Sequence, residues 1–358
     1  MTSLPHHVCA AIPPHMLDEI AGRGGRPERA GARSTIEQMS LLGTERAQTF
    51  FDLLPAAVRP RKQRCVYDAQ GGRRLPGQLA RSERQPVHAD PEVNEAFDGA
   101  GATWDFFERV FGRKSIDGHG VRLDATVHYG TKFQNAMWNG HQIVYGDGDG
   151  RVFTRFTASL DVIAHELTHG LTQYATALGY SGQTGALNEH LSDAFGIMVK
   201  QFTHRQTVDD SDWLIGAELL GSDVAGVAVR SMAAPGTAYD DQLLGRDPQP
   251  WHMSGYVQTA ADNGGVHINS GILNHAFYLA AKELGGYSWE VLGRIWYIAI
   301  VERLTSDAGF ADFARATFDI AGEQHGVNSA PQRAIREAWN RVGLPVAVSV
   351  SIPRRRAA

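Results

Sequence analysis

The chain has 358 residues, 43% of them hydrophobic and 20% charged, with a formal net charge of −5. That balance excludes a disordered or fibrous chain, leaves room for two domains and a short extra segment, and offers no general basic field to attract nucleic acid. No apolar run approaches the roughly 18 residues of a membrane span, and two cysteines, Cys9 and Cys65, cannot build a disulfide framework.

Residues 1–60 differ in character from the remainder of the chain. The start, MTSLPHHVCAAIPPHML, lacks the cationic and apolar regions of a Sec signal peptide. A Pro-containing apolar stretch (9–20) leads into a Gly/Arg-rich segment (22–33). A helical pattern comes next over 35–54, with Ile36, Met39, Leu42, Phe50, Phe51 and Leu54 as its apolar residues. PAAVRPRKQR (55–64) then reads as an exposed basic linker of the kind proteases cut.

From 65 to 157 the pattern is mainly strands and turns. CVYDAQGGRRLPG, VRLDATVHYG and HQIVYGDGDGRVF set β-branched and aromatic residues between turn signals. One helix is expected at 91–111, with Trp104, Phe107, Val110 and Phe111 on its buried side. Beyond residue 185 apolar spacing predicts helices at 186–203, 265–284, 289–304, 310–325 and 330–342. The expected architecture is α+β: a β-rich lobe over 61–182, an α-helical lobe over 183–346, and a basic tail over 347–358 that contains Arg354, Arg355 and Arg356.

Between these halves lies SLDVIAHELTHGLTQY (159–174). A helix advances 3.6 residues per turn, so His165 and His169 share a face and can share a metal ion. Glu166 stands beside them, where a base for water belongs. Leu160, Ile163, Ala164, Leu167 and Leu171 mark the segment as buried. Downstream, GALNEHLSDAFG puts Glu189 and Asp193 one turn apart. Glu189 comes after His169 by enough chain for a loop and an antiparallel return. Two imidazoles and a carboxylate, with no cysteine nearby, describe a catalytic zinc site whose fourth position is open to water.

HELTH followed by GALNEHLSD, with NAMWNGHQIVYGDGDG upstream and DNGGVHINSG downstream, resembles the thermolysin family of zinc metalloendopeptidases. The resemblance implies a two-lobed fold with the zinc helix crossing the floor of the cleft, one zinc ion per chain, polypeptide substrates and a secreted, monomeric protein. It implies that Asp193 orients His165 and Asn188 orients His169. Tyr180 and His267 then serve the developing oxyanion, with Asp262 fixing the tautomer of His267. Asn135 and Ala136 are matched to an edge strand that binds substrate backbone, and Arg230 to an arginine that holds a substrate carbonyl and braces Asp193. Phe153, Val162, Ile215 and Val229 are matched to an apolar pocket on the leaving-group side of the cut bond, and this implies broad specificity for bulky apolar residues.

Residues 1–60 resemble the short propeptide of the protealysin-like branch, where an IPPHML-type motif packs against the catalytic domain and helps hold the precursor inactive. Pro13 and Pro14 are expected to hold an extended backbone in the substrate groove. Cys9 reads either as a thiolate donor to zinc in the precursor or as a small buried hydrophobe. The match departs from the family at its calcium sites. Asp161 and Asp212 remain, but Lys200, Leu214 and Ala217 stand where the double site needs acids; Ser82, Arg84 and Val227 replace ligands elsewhere. Few or no tightly bound calcium ions are expected, with the Lys200 ammonium in place of a cation. The GDGDG turn at 146–150 lacks a closing Glu and reads as a tight turn. A second reading, a zinc-binding or protein-interaction module without turnover, would call for loss of Glu166, Tyr180 or His267, and all three are present.

Overall fold

A computed structural model describes residues 9–49 and 61–346. Short β-rich segments of the first half assemble into one six-stranded sheet. Its strands are β1 (Cys9–Ala10), β2 (Arg64–Asp68), β3 (Gln78–Ser82), β4 (Leu123–Val127), β5 (Ala136–Trp138) and β6 (Gln142–Tyr145), in the spatial order β1-β5-β6-β4-β2-β3. The β2/β4 and β4/β6 pairs are parallel, and the outer pairs are antiparallel. The N-terminal segment thus supplies the strand that covers the β5 edge, with Cys9 opposite Trp138 and Ala10 opposite Met137. An uncovered edge is a template for strand addition.

The segment before the catalytic portion is more helical than its composition suggests. Among the described residues the extended part runs from Cys9 to Pro13: Pro14 opens helix α1 (Pro14–Arg23), where its missing N–H costs nothing at the first position. Helix α2 (Arg26–Thr49) then runs through most of the Gly/Arg-rich stretch and begins well before residue 35. Its buried face is Ala32, Thr35, Met39 and Leu42, whereas Ile36 is exposed. Phe50, Phe51, Leu54, most of the basic linker and the tail from 347 lie outside the described residues.

Helix α3 (Pro91–Phe111) is capped by the Asp90 carboxylate, which accepts from Glu92 N–H, and stops at Gly112 in the left-handed region. It packs on α4 (Leu160–Ala175), which carries the HELTH motif and is buried on all sides from Asp161 to Thr172. Helix α5 (Gly182–His204) returns against it. Gly196 makes that approach possible, because a Cβ there would sit 2.6 Å from the Asp161 carbonyl oxygen.

Two short strands, β7 (Leu214–Ile215) and β8 (Arg230–Ser231), pair beside this helix pair. The helical lobe continues with α6 (Asp262–Leu284), α7 (Leu292–Ile298), α8 (Phe310–His325) and α9 (Ala330–Arg341). In place of one helix over 289–304, α7 starts at Leu292 and passes into a π-type turn, Ala299–Arg303. Trp296, Phe313 and Trp339 form the aromatic centre of this lobe, with ring centroids 5.4–6.0 Å apart. Among the described residues no helix is long and apolar enough to cross a membrane.

Candidate metal centre and cleft

Helices α4 and α5 bring the predicted ligands together in a buried space. His165 Nδ1 lies 2.8 Å from Asp193 Oδ1, and His169 Nδ1 lies 3.0 Å from Asn188 Oδ1. Both partners are acceptors, so both Nδ1 atoms carry the proton and both Nε2 atoms present lone pairs. Those two Nε2 atoms face each other 3.0 Å apart. Glu189 closes the third side, with oxygens 3.5 Å from His165 Nε2 and 3.4 Å from His169 Nε2. Its Oε2 is buried and makes no hydrogen bond among the described residues. Two lone pairs and a carboxylate converging out of water repel one another unless a cation stands between them. The nitrogen and oxygen donor set fits zinc.

The groups around this cluster hold it in place. Asp193, fully buried, is gripped by Arg230 through Nε (2.8 Å) and Nη2 (2.7 Å) and receives Asn274 Nδ2 at 2.9 Å. Burial alone would raise its pKa, but Arg230 and then His165 hold its carboxyl far below the usual range. Ser192 Oγ also approaches His169 Nδ1, at 3.1 Å. Neither Asn274 nor Ser192 is among the residues singled out by the sequence, although Asn274 lies two helical turns beyond His267 and Ser192 precedes Asp193.

Glu166 lies on the β5 side of the pair. Its Oε2 accepts the Trp138 N–H at 2.6 Å, a backbone contact that sequence cannot reveal because it depends on the register of β5. On the other side stand Tyr180 and His267, with Tyr180 Oη 3.4 Å from His267 Nε2 and donating to Glu189 Oε1. The DNGG stretch at the start of α6 is non-helical: Asp262, Asn263, Gly264 and Gly265 all have positive φ. This bend folds the Asp262 carboxylate back onto His267, with Oδ1 2.6 Å from Nδ1 and Oδ2 accepting the backbone N–H at 2.9 Å. Burial works against the charged ring, but Asp262 and Glu189 outweigh it and hold its pKa up at about 9.

The predicted backbone-binding groups converge on one segment, residues 10–12. Ala11 N–H donates to the Ala136 carbonyl (2.9 Å), and Ile12 N–H donates to Asn135 Oδ1 (2.8 Å). Asn135 Nδ2 donates to the Ile12 carbonyl (3.1 Å), Arg230 Nη1 to the Ala11 carbonyl (3.0 Å) and His267 Nε2 to the Ala10 carbonyl (3.1 Å). An antiparallel strand with successive carbonyls on His267 and Arg230 is the arrangement a peptide would need to present a bond to the cluster. Ile215 and Val229 adjoin through a backbone hydrogen bond of 3.0 Å; Phe153 and Val162 are buried, Phe153 bridging to Leu220.

Lys200 lies between Asp161 and Asp212. Its Nζ lies 3.2 Å from Asp161 Oδ2, 3.1 Å from Asp212 Oδ2 and 3.3 Å from the Leu214 carbonyl. The GDGDG stretch is a tight turn in which Asp149 Oδ1 accepts from Arg151 N–H (2.9 Å) and Val152 N–H (2.8 Å).

Residues 40–173 match the model of the thermolysin metallopeptidase catalytic domain, and residues 176–344 that of its alpha-helical domain. An extracellular metalloprotease of Pectobacterium carotovorum subsp. carotovorum is 48% identical over 95% of this chain and 97% of its own. A thermolysin of Alicyclobacillus acidocaldarius is 37% identical over 78% of this chain and 50% of its own. Among solved structures, the precursor of protealysin, a metalloproteinase from Serratia proteamaculans, superposes with a TM-score of 0.85 at 46% identity, covering 94% of this chain and 99% of that one.

Proposed function

Since this chain belongs to the thermolysin family of zinc metalloendopeptidases, we propose that His165, His169 and Glu189 hold one zinc ion per chain, and that Glu166 is the general base for cleavage of internal peptide bonds. The observation that carries the assignment is the pair of Nε2 lone pairs 3.0 Å apart beside a buried carboxylate. Zinc held there supplies a Lewis acid that acidifies water and polarises a carbonyl.

Glu166 takes a proton from the attacking water and returns it to the leaving amine; its second oxygen is anchored by Trp138 N–H, which fixes the direction of transfer. His267, charged through Asp262, donates from Nε2 to the carbonyl oxygen as negative charge develops there, and Tyr180 Oη, 3.4 Å from that nitrogen, adds a second donor by giving up its hydrogen bond to Glu189 when that carboxylate binds zinc. Arg230 and Asn135 bind the next carbonyls along the chain, and Ala136 pairs with the backbone between them. Arg230 also ties substrate position to Asp193 and through it to the His165 ring.

On the same proposal, bulky apolar residues are preferred just after the cut bond, in a pocket formed by Phe153, Val162, Ile215 and Val229. Residues 1–60 form a propeptide whose 10–12 segment fills the cleft as a substrate would, so the chain is made as a zymogen. Calcium is bound weakly or not at all, supported by the Lys200 ammonium between Asp161 and Asp212. Secretion is proposed from the relative named extracellular. The test is casein hydrolysis by the processed protein with a zinc chelator and after zinc is returned. The proposal expects activity to vanish and come back, and chelator-insensitive cleavage, or none at all, would sink it.

A further inference from the structure

Cys9 is fully buried, and it clusters with Tyr180 and Val266, apart from the main core. Its Sγ, a ring nitrogen of His169 and a carboxylate oxygen of Glu189 all lie within 4.8 Å of one another. A second observation points to the same space: Glu189 Oε2, 1% exposed, makes no hydrogen bond among the described residues, although it lies 3.5 Å from His165 Nε2 and from His267 Nε2.

We propose that in the unprocessed chain the Cys9 thiolate is the fourth ligand of the zinc ion held by His165, His169 and Glu189; this rests on the zinc reading above. The position of the sulfur is fixed by backbone. Residues 10–12 make five hydrogen bonds to Ala136, Asn135, Arg230 and His267, and Cys9 itself is paired in register with Trp138. A strand so pinned can hold a thiolate at a metal with little entropy left to lose.

The chemistry favours the bond. Zinc accepts thiolate readily, and two imidazoles, a carboxylate and a thiolate complete a four-coordinate set of the closed, structural type. On binding, the S–H bond breaks, its proton goes to solvent, an S–Zn bond forms and a coordinated water molecule leaves; no electron changes hands. The ion then has no position for a nucleophile. The Ala10 carbonyl can therefore rest on His267, in the attitude of a substrate, without being cut. Strand pairing blocks the cleft and the sulfur blocks the metal, so the segment is an inhibitor with two independent attachments.

The test uses the full-length chain with Glu166→Gln, to prevent self-processing, and Cys65→Ser, to leave one thiol. Zinc is replaced by cobalt(II), and the near-ultraviolet sulfur-to-cobalt charge-transfer band is recorded beside the metal content. The proposal expects a strong band with one cobalt per chain, its loss when Cys9→Ser is added, and retention of the cobalt d–d spectrum in that variant. Cobalt bound one per chain with no sulfur band in the Cys9 form would overturn the proposal and leave the zinc reading intact. Failure of both forms to bind cobalt, with a folded circular dichroism spectrum, would overturn the zinc reading and this proposal together.

Discussion

Lys200 offers a sharp test of how this chain stabilises its helix pair. Its ammonium is nearly buried, and its partner Asp161 is fully so, with Ser159 Oγ (2.5 Å) and Gly216 N–H (3.3 Å) as the other donors to that carboxylate. Burial pushes the Asp161 pKa up, and Lys200 is the largest influence pulling it back. Lys200→Met removes the cation and strands a buried charge, a change that costs about 3–5 kcal/mol. Asp212 is 42% exposed, so its share is small. At about 2 °C per kcal/mol for a chain of this size, the melting temperature should fall by roughly 6–10 °C.

Lys200→Glu should be destabilised likewise in chelator. It also gathers carboxylates at 161, 200 and 212 beside the Leu214 carbonyl, a hard oxygen set that suits calcium. Calcium at about 100 times its dissociation constant should return about 2.7 kcal/mol, or roughly 5 °C. The assay is differential scanning calorimetry at one scan rate, in a Glu166→Gln background so that self-digestion does not contribute. A Lys200→Met variant that melts within a degree of the parent, or calcium that stabilises the parent as much as it stabilises Lys200→Glu, would refute this role for Lys200.

Two further outcomes are expected. Glu166→Gln should keep its zinc, lose about 10²–10⁴-fold in casein turnover, and retain the N-terminal segment if the chain processes itself; mass spectrometry of the purified protein reads the last point. His128 donates to Asp147 (2.9 Å) and Asp90 (2.7 Å), with Glu92 nearby at 3.9 Å, and the bond to Asp147 is the main cause of its pKa being raised to about 10 despite burial. A raised folded-state pKa means this contribution is complete below about pH 6.5 and is lost as pH climbs towards 10. Melting temperature should therefore drop more steeply between pH 7 and 10 in the parent than in His128→Gln, and parallel curves would refute the assignment.

How far the molecule is legible from residues alone depends on the range of the interaction. The proposed ligand set is readable because His165 and His169 are one helical turn apart, and because Glu189 and Asp193 repeat that spacing on the returning helix. The bend at Asp262 is readable because two glycines supply positive φ before His267. The helices of the N-terminal segment are harder. Glycines and arginines over 22–33 obscure an apolar face, Ala32, Thr35, Met39 and Leu42, whose i, i+3, i+7 spacing is nonetheless present. Pro14 reads as extended beside Pro13, yet a proline is equally at home as the first residue of a helix. A contact such as Trp138 N–H to Glu166 depends on how β5 is set against a helix 28 residues away, and no local pattern encodes it.

In the proposed function, three side chains from two adjoining helices hold one zinc ion next to Glu166. Anomalous scattering from crystals of the processed protein, measured on both sides of the zinc absorption edge, tests it directly. A single strong peak should appear about 2.0–2.2 Å from His165 Nε2, His169 Nε2 and a Glu189 oxygen. No peak at that position, or a zinc ion bound elsewhere with Glu189 turned away, would contradict the account.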